Sequence, residues 1–429
     1  MTGRAEATLI VLAALVAGAG TAVVSMTAYE GLTNDAFVAA ATILASYGGL
    51  FVAVRRWAPA ATGLLLPVVA LLTSIGFIEI YRIDPHLGRL QRLWLLLAAG
   101  IAGFVLWLLR HRGVEILRRF RYLFLLAAMG LLLMPLLPGR LPLGGATING
   151  SRLWVRLDLG ERSLSFQPGE AAKLLLVVFF ASYLAERAGA LGAVSRTVGS
   201  VRLPAPRQLV PMLVVFGVSF MVLVYQRDLG ASLLLFAVFV AMLYVATGRR
   251  AYLAAGGALA AGGAMSAVET FSHVQTRVDA WLHPFEDFTG VGYQTAQGLF
   301  ALGEAGITGT GLGAGAPYLI PAAATDYVFV AVVEETGLAG GLAVLMAYAL
   351  IIGVGFGIAL KARDRFRSLL AAGLTLALGV QTFIILAGVL RLLPLTGITL
   401  PFMSYGGSSL LANLTLIAVL ARISHEERV

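Results

Sequence analysis

The sequence predicts an all-α polytopic membrane protein with about twelve transmembrane helices and two long extracytoplasmic loops. Three observations lead there. Hydrophobic residues make up 59% of the 429 and charged residues only 12%, with a mean hydropathy of +0.89, whereas soluble domains average about 45–50% apolar and 25% charged. Apolar runs long enough to cross about 30 Å of hydrocarbon recur along nearly the whole chain. Basic residues gather in alternate connections between those runs, which orients a bundle.

The runs fall at roughly 7–26, 36–54, 63–80, 93–109, 122–137, 171–184, 209–225, 229–244, 252–268, 327–350, 369–390 and 410–420. Continuous apolar runs are helices: in lipid each backbone amide must be satisfied within its own segment, and a barrel strand would alternate instead. The first run ends in small residues, "VVSMTA", like a cleaved signal, but its apolar core exceeds the usual length of about 7–15, so it is read as a retained helix. With the N-terminus inside, the cytoplasmic connections hold Arg4, the pair Arg55 and Arg56, and groups near 110–121, 187–207, 249–250, 361–367 and 422–428. That accounts for 20 of the 31 Lys and Arg. The net charge of +9 is therefore a topology signal that also suits anionic lipid heads, and no soluble basic domain exists to bind nucleic acid. There is no cysteine, which excludes disulfides, thiolate metal sites and thiol catalysis.

Two connections predicted to lie outside, 138–168 and 269–326, are far longer than ordinary loops and mix aromatic residues, turn glycines and charges, so they are expected to fold over the bundle. The second carries Glu269, Asp279, Glu286, Asp287, Glu304 and Asp326 against Arg277, His273 and His283. A solvated acidic surface is the plain explanation for any one of these carboxylates. Asp287 is the exception in "HPFEDFTGVGYQ": it lies between Phe285 and Phe288 just ahead of a glycine turn, a setting expected to desolvate it partly and to suit a general base.

Within the apolar runs charge is rare, and a buried ionisable group is a functional candidate. Glu170 and Lys173 in "QPGEAAK" are three apart on one helical face, where they can pair; a merely neutralising ion pair is the alternative. Asp228 in "YQRDLG" suits an N-cap. In "TDYVFVAVVEETG", Asp326 is expected as a cap, and Glu334 and Glu335 lie about two turns deeper, pointing to an aqueous cavity. "SYGGSS", Ser404 to Ser409, admits close helix packing or a cradle of amides for phosphate. The glycine-rich "GITGTGLGAGAP" follows no strand, so a dinucleotide reading is discarded.

Four stretches together, "NGSRLWVRLDLGERSLSFQPGEAAKL", "PFEDFTGVGYQTAQGLFALGEAGITGTGLG", "IPAAATDYVFVAVVEETG" and "LPLTGITLPFMSYGGSSLLANL", resemble the successive signatures of the SEDS family, the RodA/FtsW/SpoVE group, over roughly Leu66 to Ser424. Members usually have ten helices. The resemblance thus implies an extra N-terminal helix pair at 1–60 and a family core at 61–429 with its outer loops near 138–168 and 269–326.

What the resemblance implies is a peptidoglycan glycosyltransferase, polymerising lipid II and undecaprenyl-linked glycan at the outer face of the bacterial cytoplasmic membrane, with both termini cytoplasmic. Its implied partner is a class B penicillin-binding protein acting as transpeptidase. The family's essential aspartate falls on Asp287. Joining an α-linked sugar diphosphate to a hydroxyl with a β product requires inversion, hence a base and a cationic site for the leaving group. Asp287 is the expected base. Glu170, Lys173, Arg152, Asp326, Glu335, Ser404 and Ser408 are the expected substrate-binding residues. No cofactor is assigned, and a divalent cation stays open.

Against the family pattern, Phe285, Phe288, Ala324, Gly169 and Arg227 replace Trp, Pro, His, Ser and Pro, and apolar residues around Ile385 and Leu386 stand where Asn is expected. The principal alternative is a lipid II flippase or other lipid transporter, which would need the polar cavity without Asp287. A facilitator-type transporter should show repeated halves, which are absent here, and a scaffold would depend on no single carboxylate.

Overall fold

A computed structural model describes residues 3–29, 31, 33–138, 143–148, 151–159, 162–192, 196–198, 201–203 and 206–428. Every apolar run is a helix. In chain order these are α1 Gly3–Ala28, α2 Asp35–Trp57, α3 Leu65–Ile83, α4 Pro85–Leu109, a short α5 Glu115–Arg119, α6 Arg121–Leu133, α7 Pro168–Gly192, α8 Pro206–Tyr225, α9 Leu229–Thr247, α10 Arg250–Thr270, then α11 Ser272–Leu282 and α12 Tyr293–Glu304 in the second long connection, and finally α13 Val328–Lys361, α14 Arg365–Val389 and α15 Gly407–Glu426. Among the described residues ten helices are long and apolar enough to cross a membrane, and two shorter apolar helices, Arg121–Leu136 and Val210–Tyr225, bring the set to the twelve expected.

The first long connection is not helical. β1 Leu143–Ile148, β2 Ser151–Leu159 and β3 Arg162–Phe166 form an antiparallel sheet in the order β1-β2-β3, while β4 Arg196–Val198 and β5 Val201–Leu203 pair as a hairpin farther on. Residues 139–142, 149–150 and 160–161 of the first connection lie outside the described residues.

The chain divides into two compact units. One comprises Met1–Arg110, Gly263–Val354 and Gln381–Val429; the other comprises His111–Gly262 and Gly355–Val380. In the first unit α1 packs on α2 and α3, α2 on α4, and α4 on α15. Polar ties fasten the N-terminal pair there: Arg92 reaches Asp35 at 2.7 Å, Arg55 bonds Glu6, and the Tyr81 hydroxyl lies 3.2 Å from Thr33. Between them Val24, Ala39, Phe77, Ile78 and Tyr81 form a buried apolar cluster. In the second unit α7 packs against α6, α8 and α9, with Phe180 edge-on to Phe239 at 5.3 Å.

α13 departs from the continuous span that the sequence suggests. Gly337 has φ +72°, a left-handed conformation that only glycine adopts at little cost, and it breaks the helical ladder. The connection after α12 fills the break. Thr310 and Gly311 amides donate to the Glu334 and Glu335 carbonyls at 2.9 and 3.0 Å, and Leu338 and Ala339 amides donate to Gly306 and Ile307 at 3.0 and 3.2 Å. Two carbonyls and two amides at the break thus find partners in the loop, as a segment at membrane depth requires.

Candidate active site

Asp287 is set by what precedes it. On α11, Arg277 and Trp281 are four apart and share a face. Arg277 Nη1 donates to the carbonyls of Leu395 and Thr396 at 3.3 and 3.0 Å, and Trp281 Nε1 donates to the Arg391 carbonyl at 3.0 Å. Arg391 answers: its Nε and Nη2 donate to the Trp281 and Leu282 carbonyls at 2.8 and 2.9 Å. A guanidinium at the end of a helix meets carbonyls that have no partner in the helix and the negative pole of its dipole. Arg391 does this from a left-handed backbone, φ +59°, which is uncommon away from glycine. The end of α11 is thereby clamped to the segment after α14.

The turn that follows wraps around Asp287. Its carbonyl accepts from the Gly290 and Gly292 amides at 3.2 and 3.1 Å, and its Oδ2 accepts from the Val291 amide at 3.0 Å. A Cβ on Gly290 would sit 2.3 Å from Oδ2, so only glycine lets the chain pass so close to the carboxylate. The partial desolvation expected of Asp287 is corrected here: the residue is exposed. Phe285 and Phe288 do not enclose it, because their rings turn to Phe300 at 5.8 and 5.9 Å and stay 53% and 38% exposed. Glu286 beside it pairs with His283 at 3.2 Å.

Val291 also lines a cavity of about 240 Å³ together with Arg277, Trp281, Gln294, Asp326 and Gly397. Asp326, expected as a helix cap, is half-buried in this cavity ahead of α13. Burial pushes its carboxyl up to about 6, against the lowering effects of a Thr325 hydrogen bond and the Arg277 charge. Ser404 supports it from behind. Its hydroxyl donates to the Thr325 carbonyl and accepts from the Leu400 amide at 2.8 Å, while the Tyr405 amide donates to Ala324 at 2.8 Å. Ser408 is buried at the start of α15, where Gly407 packs on Trp94.

Glu334 and Glu335 lie apart from this cavity. The open aqueous cavity expected around them is corrected: they are 2% and 1% exposed. Glu335 pairs with Arg82 at 3.2 Å and accepts from the Gly313 amide at 2.8 Å; Glu334 accepts from the Ala316 amide at 2.8 Å. Arg82 also donates to the Gly315 carbonyl at 2.8 Å. The glycine-rich stretch thus does bind anions, but they are the protein's own carboxylates.

In the second unit, Lys173 Nζ meets Glu170 Oε2 at 2.8 Å, both side chains about one-tenth exposed. Arg152 on β2 donates to the Leu137 carbonyl at 2.7 Å, while its Nε is buried with no partner. Asp228 caps α9 by accepting from the Ala231 amide at 2.8 Å.

The model of the FtsW/RodA/SpoVE family, described as "Cell cycle protein", matches residues 56–429. The chain belongs to that family. It is 42% identical, over 99% of its own length and 91% of the relative's, to a Mycobacterium tuberculosis protein named peptidoglycan glycosyltransferase RodA. It is 31% identical to stage V sporulation protein E of Bacillus subtilis, covering 85% of this chain and 97% of that one. A solved structure described as "Structural coordination of polymerization and crosslinking by a peptidoglycan synthase complex" superposes with a TM-score of 0.67 at 26% identity, covering 86% of this chain and 98% of that one. The Thermus thermophilus rod shape determining protein RodA superposes with a TM-score of 0.58 at 25% identity, covering 86% and 97%. The protein is accordingly a multi-pass membrane protein of this family.

Sequence reasoning passed over Trp281, Gln294 and Arg391 and noted Arg277 only as a lone charge. The spacing of Arg277 and Trp281 was a usable signal. Nothing local marks Arg391, whose partners are about 110 residues away in sequence.

Proposed function

We propose that the chain is an inverting peptidoglycan glycosyltransferase that polymerises lipid II at the outer face of the bacterial cytoplasmic membrane, with Asp287 as general base and both termini cytoplasmic. The observation that carries the reading is Asp287 itself: exposed, and fixed by one amide bond on Oδ2 from Val291, a residue that lines a cavity with mixed polar and aromatic walls. In the reaction the carboxylate takes the proton of the acceptor 4-hydroxyl. The oxygen bonds to the donor anomeric carbon from the face opposite the leaving group, and the carbon–oxygen bond to the diphosphate breaks. A base so placed supplies about 10²–10⁴ of rate.

The leaving diphosphate is assigned to Lys173 and Arg152. Lys173 is the cation of the pair with Glu170, and the buried, unpartnered Nε of Arg152 is a donor that an oxyanion would satisfy. Asp326 binds substrate from within the cavity, Ser404 serves it through Thr325, and Ser408 serves it as part of the same packed element. Glu335 acts at a distance, by holding Arg82 and the loop around Gly313. Among the described residues no cluster of three or more acidic or histidine side chains is arranged to hold a metal ion. The 1–60 pair is proposed as an addition to a family core at 61–429. A class B penicillin-binding protein is the proposed partner.

The test supplies lipid II to the purified chain with its transpeptidase partner and compares glycan from wild type and Asp287→Asn. The expected outcome is a loss of at least about 10²-fold with the fold intact. Equal polymer from the variant removes the assignment. Lipid II flipping without polymer from either protein selects the transporter reading instead.

A further inference from the structure

A trough of about 640 Å³ opens on the side of the first unit between α2 and α4. Small residues line it from both sides: Ala45, Gly49 and Ala53 on α2, and Ala99, Gly100 and Gly103 on α4. Glycine inside a helix is destabilising relative to alanine, yet a Cβ on Gly49 or Gly100 would meet nothing within 4 Å. Packing among the described residues does not require these two glycines. The room they leave suits a group from outside the chain.

The trough has a definite depth and a charged mouth. From Ala45 to Trp57 α2 rises about 18 Å, close to the roughly 15 Å of hydrocarbon in one leaflet. It therefore runs through half of the membrane, where a crossing helix would use the whole. At the mouth Phe104 and Trp107 stack 5.4 Å apart, and the Arg110 guanidinium lies 4.2 Å over Trp107. Arg56 follows Gly49 by seven residues and Arg110 follows Gly103 by seven, a spacing that keeps each arginine on the face of its small-residue stripe. Arg422 spans the base of the mouth. It donates to the Trp57 carbonyl at 2.6 Å and to the Arg110 carbonyl at 3.4 Å, and its own charge is met by Glu426 at 2.8 Å. The ends of α2 and α4 are thereby held together, and Arg56 and Arg110 make the mouth positive.

We propose that the trough is a binding site for an anionic phospholipid of the leaflet at the Arg56 end, the cytoplasmic one in the orientation proposed above. An acyl chain lies along the small-residue stripes, and the phosphate meets Arg56 and Arg110 beside the two indoles. Basic pockets between membrane helices select phosphate headgroups in this way, and indoles sit at headgroup level. The chain fills a space whose walls would otherwise forfeit dispersion contacts. Ser46 distinguishes this occupant from a partner helix: its Oγ is buried in the wall without a partner, and a polar side chain on a helix would bond it where an acyl chain cannot.

The test titrates the full chain, held in a non-ionic detergent micelle, with dioleoyl phosphatidylglycerol or dioleoyl phosphatidylcholine and reads bound lipid by native mass spectrometry. Wild type is expected to hold phosphatidylglycerol about tenfold more tightly than phosphatidylcholine, the preference that two arginines near a headgroup supply. Arg56→Gln combined with Arg110→Gln is expected to erase that preference. Gly100→Leu fills the trough and is expected to weaken both lipids by about tenfold through lost chain contacts, with thermal unfolding at the wild-type value because its Cβ meets nothing. Gly49→Leu makes the same test from the facing wall, so a folding defect in one variant leaves the other. Ser46→Ala is expected to bind both lipids as wild type does. A wild type without headgroup preference, or a preference that persists in the double arginine variant, overturns the proposal. Lipid binding untouched by both leucine variants overturns it as well, because it leaves the trough to a partner helix.

Discussion

Two groups of acids in the same unit have opposite fates. Glu334 and Glu335 are buried; both Glu335 oxygens and Glu334 Oε1 meet loop amides or Arg82. Asp287 is exposed and receives one amide on Oδ2. Near both groups the backbone bends at glycines: at Gly337 and Gly309 around the glutamates, and at Gly290 and Gly292 around Asp287. The difference teaches that sequence depth is a weak guide to reactivity here. Acids deep in an apolar run are the ones whose hydrogen-bonding capacity the protein takes up for the most part, with Glu334 Oε2 and Glu79 Oε1 left without a partner, since an unpaired charge there is costly. The carboxylate left with spare capacity is the one outside the run, on a turn that holds it still.

Removing Arg82 is expected to give the largest effect on stability. Arg82→Met takes away the guanidinium near three acids, Glu79, Glu334 and Glu335, and breaking one side of a buried pair costs about 3–5 kcal/mol. Thermal unfolding in detergent should fall sharply, and Glu79→Gln in the same chain should restore part of the loss. A full-strength Arg82→Met protein would show that the glutamates are not held by charge. The converse effect belongs to Asp287, where Asp287→Asn should remove polymer and leave thermal unfolding unchanged.

Gly290→Ala probes the same contrast more gently. Its Cβ cannot share space with Oδ2, so the carboxylate must rotate away or the turn must open. Positioning errors of about 1 Å cost on the order of 10²-fold in rate. The expected readout is a fall in kcat of about tenfold or more with thermal unfolding close to wild type. Preserved kcat would mean that Asp287 acts from a mobile turn rather than a fixed one. Arg391→Ala should move the turn less, because Trp281 and Arg277 still tie α11 to the 391–396 segment, and Arg391→Lys should recover little because a lysine lacks the fork that reaches two carbonyls.

The helices were legible because hydrocarbon allows few alternatives: each run near 20 apolar residues became a helix, and the Asp228 cap and the Glu170–Lys173 pair followed from local spacing. The sheet at β1 to β3 was not legible, since its strands pair with one another rather than with any patterned core face. The break in α13 was hidden because Gly337 in an apolar run reads like any other small residue, and its cause is a loop that arrives from Gly306 to Gly311. In the site, Asp287 and Asp326 were legible as residues, but their settings were exchanged. The exposed acid was expected to be desolvated by Phe285 and Phe288, and the expected helix cap proved to be the half-buried one. Which way an aromatic ring turns depends on Phe300, on the next helix, and local sequence does not record that.

The smallest expected effect is the pH dependence of Asp326. Burial lifts its carboxyl from the usual 3.8 to about 6. Between those two values the folded chain keeps a proton that the unfolded chain has released, so this residue's contribution to stability declines as pH rises from about 4 to about 6 and then levels off. Asp326→Asn removes that dependence while keeping the shape, so the wild-type curve of thermal unfolding should fall relative to the variant across this window and run parallel to it above about 7. Arg277 lowers the carboxyl, which fixes a second sign: in Arg277→Gln the same decline should extend to higher pH. A wild-type curve parallel to that of Asp326→Asn at every pH would mean that the cavity is wetter than its walls imply. In that case Asp326 and Asp287 would share one environment, and the distinction between a substrate-binding acid and a proton-taking acid would have to come from position alone.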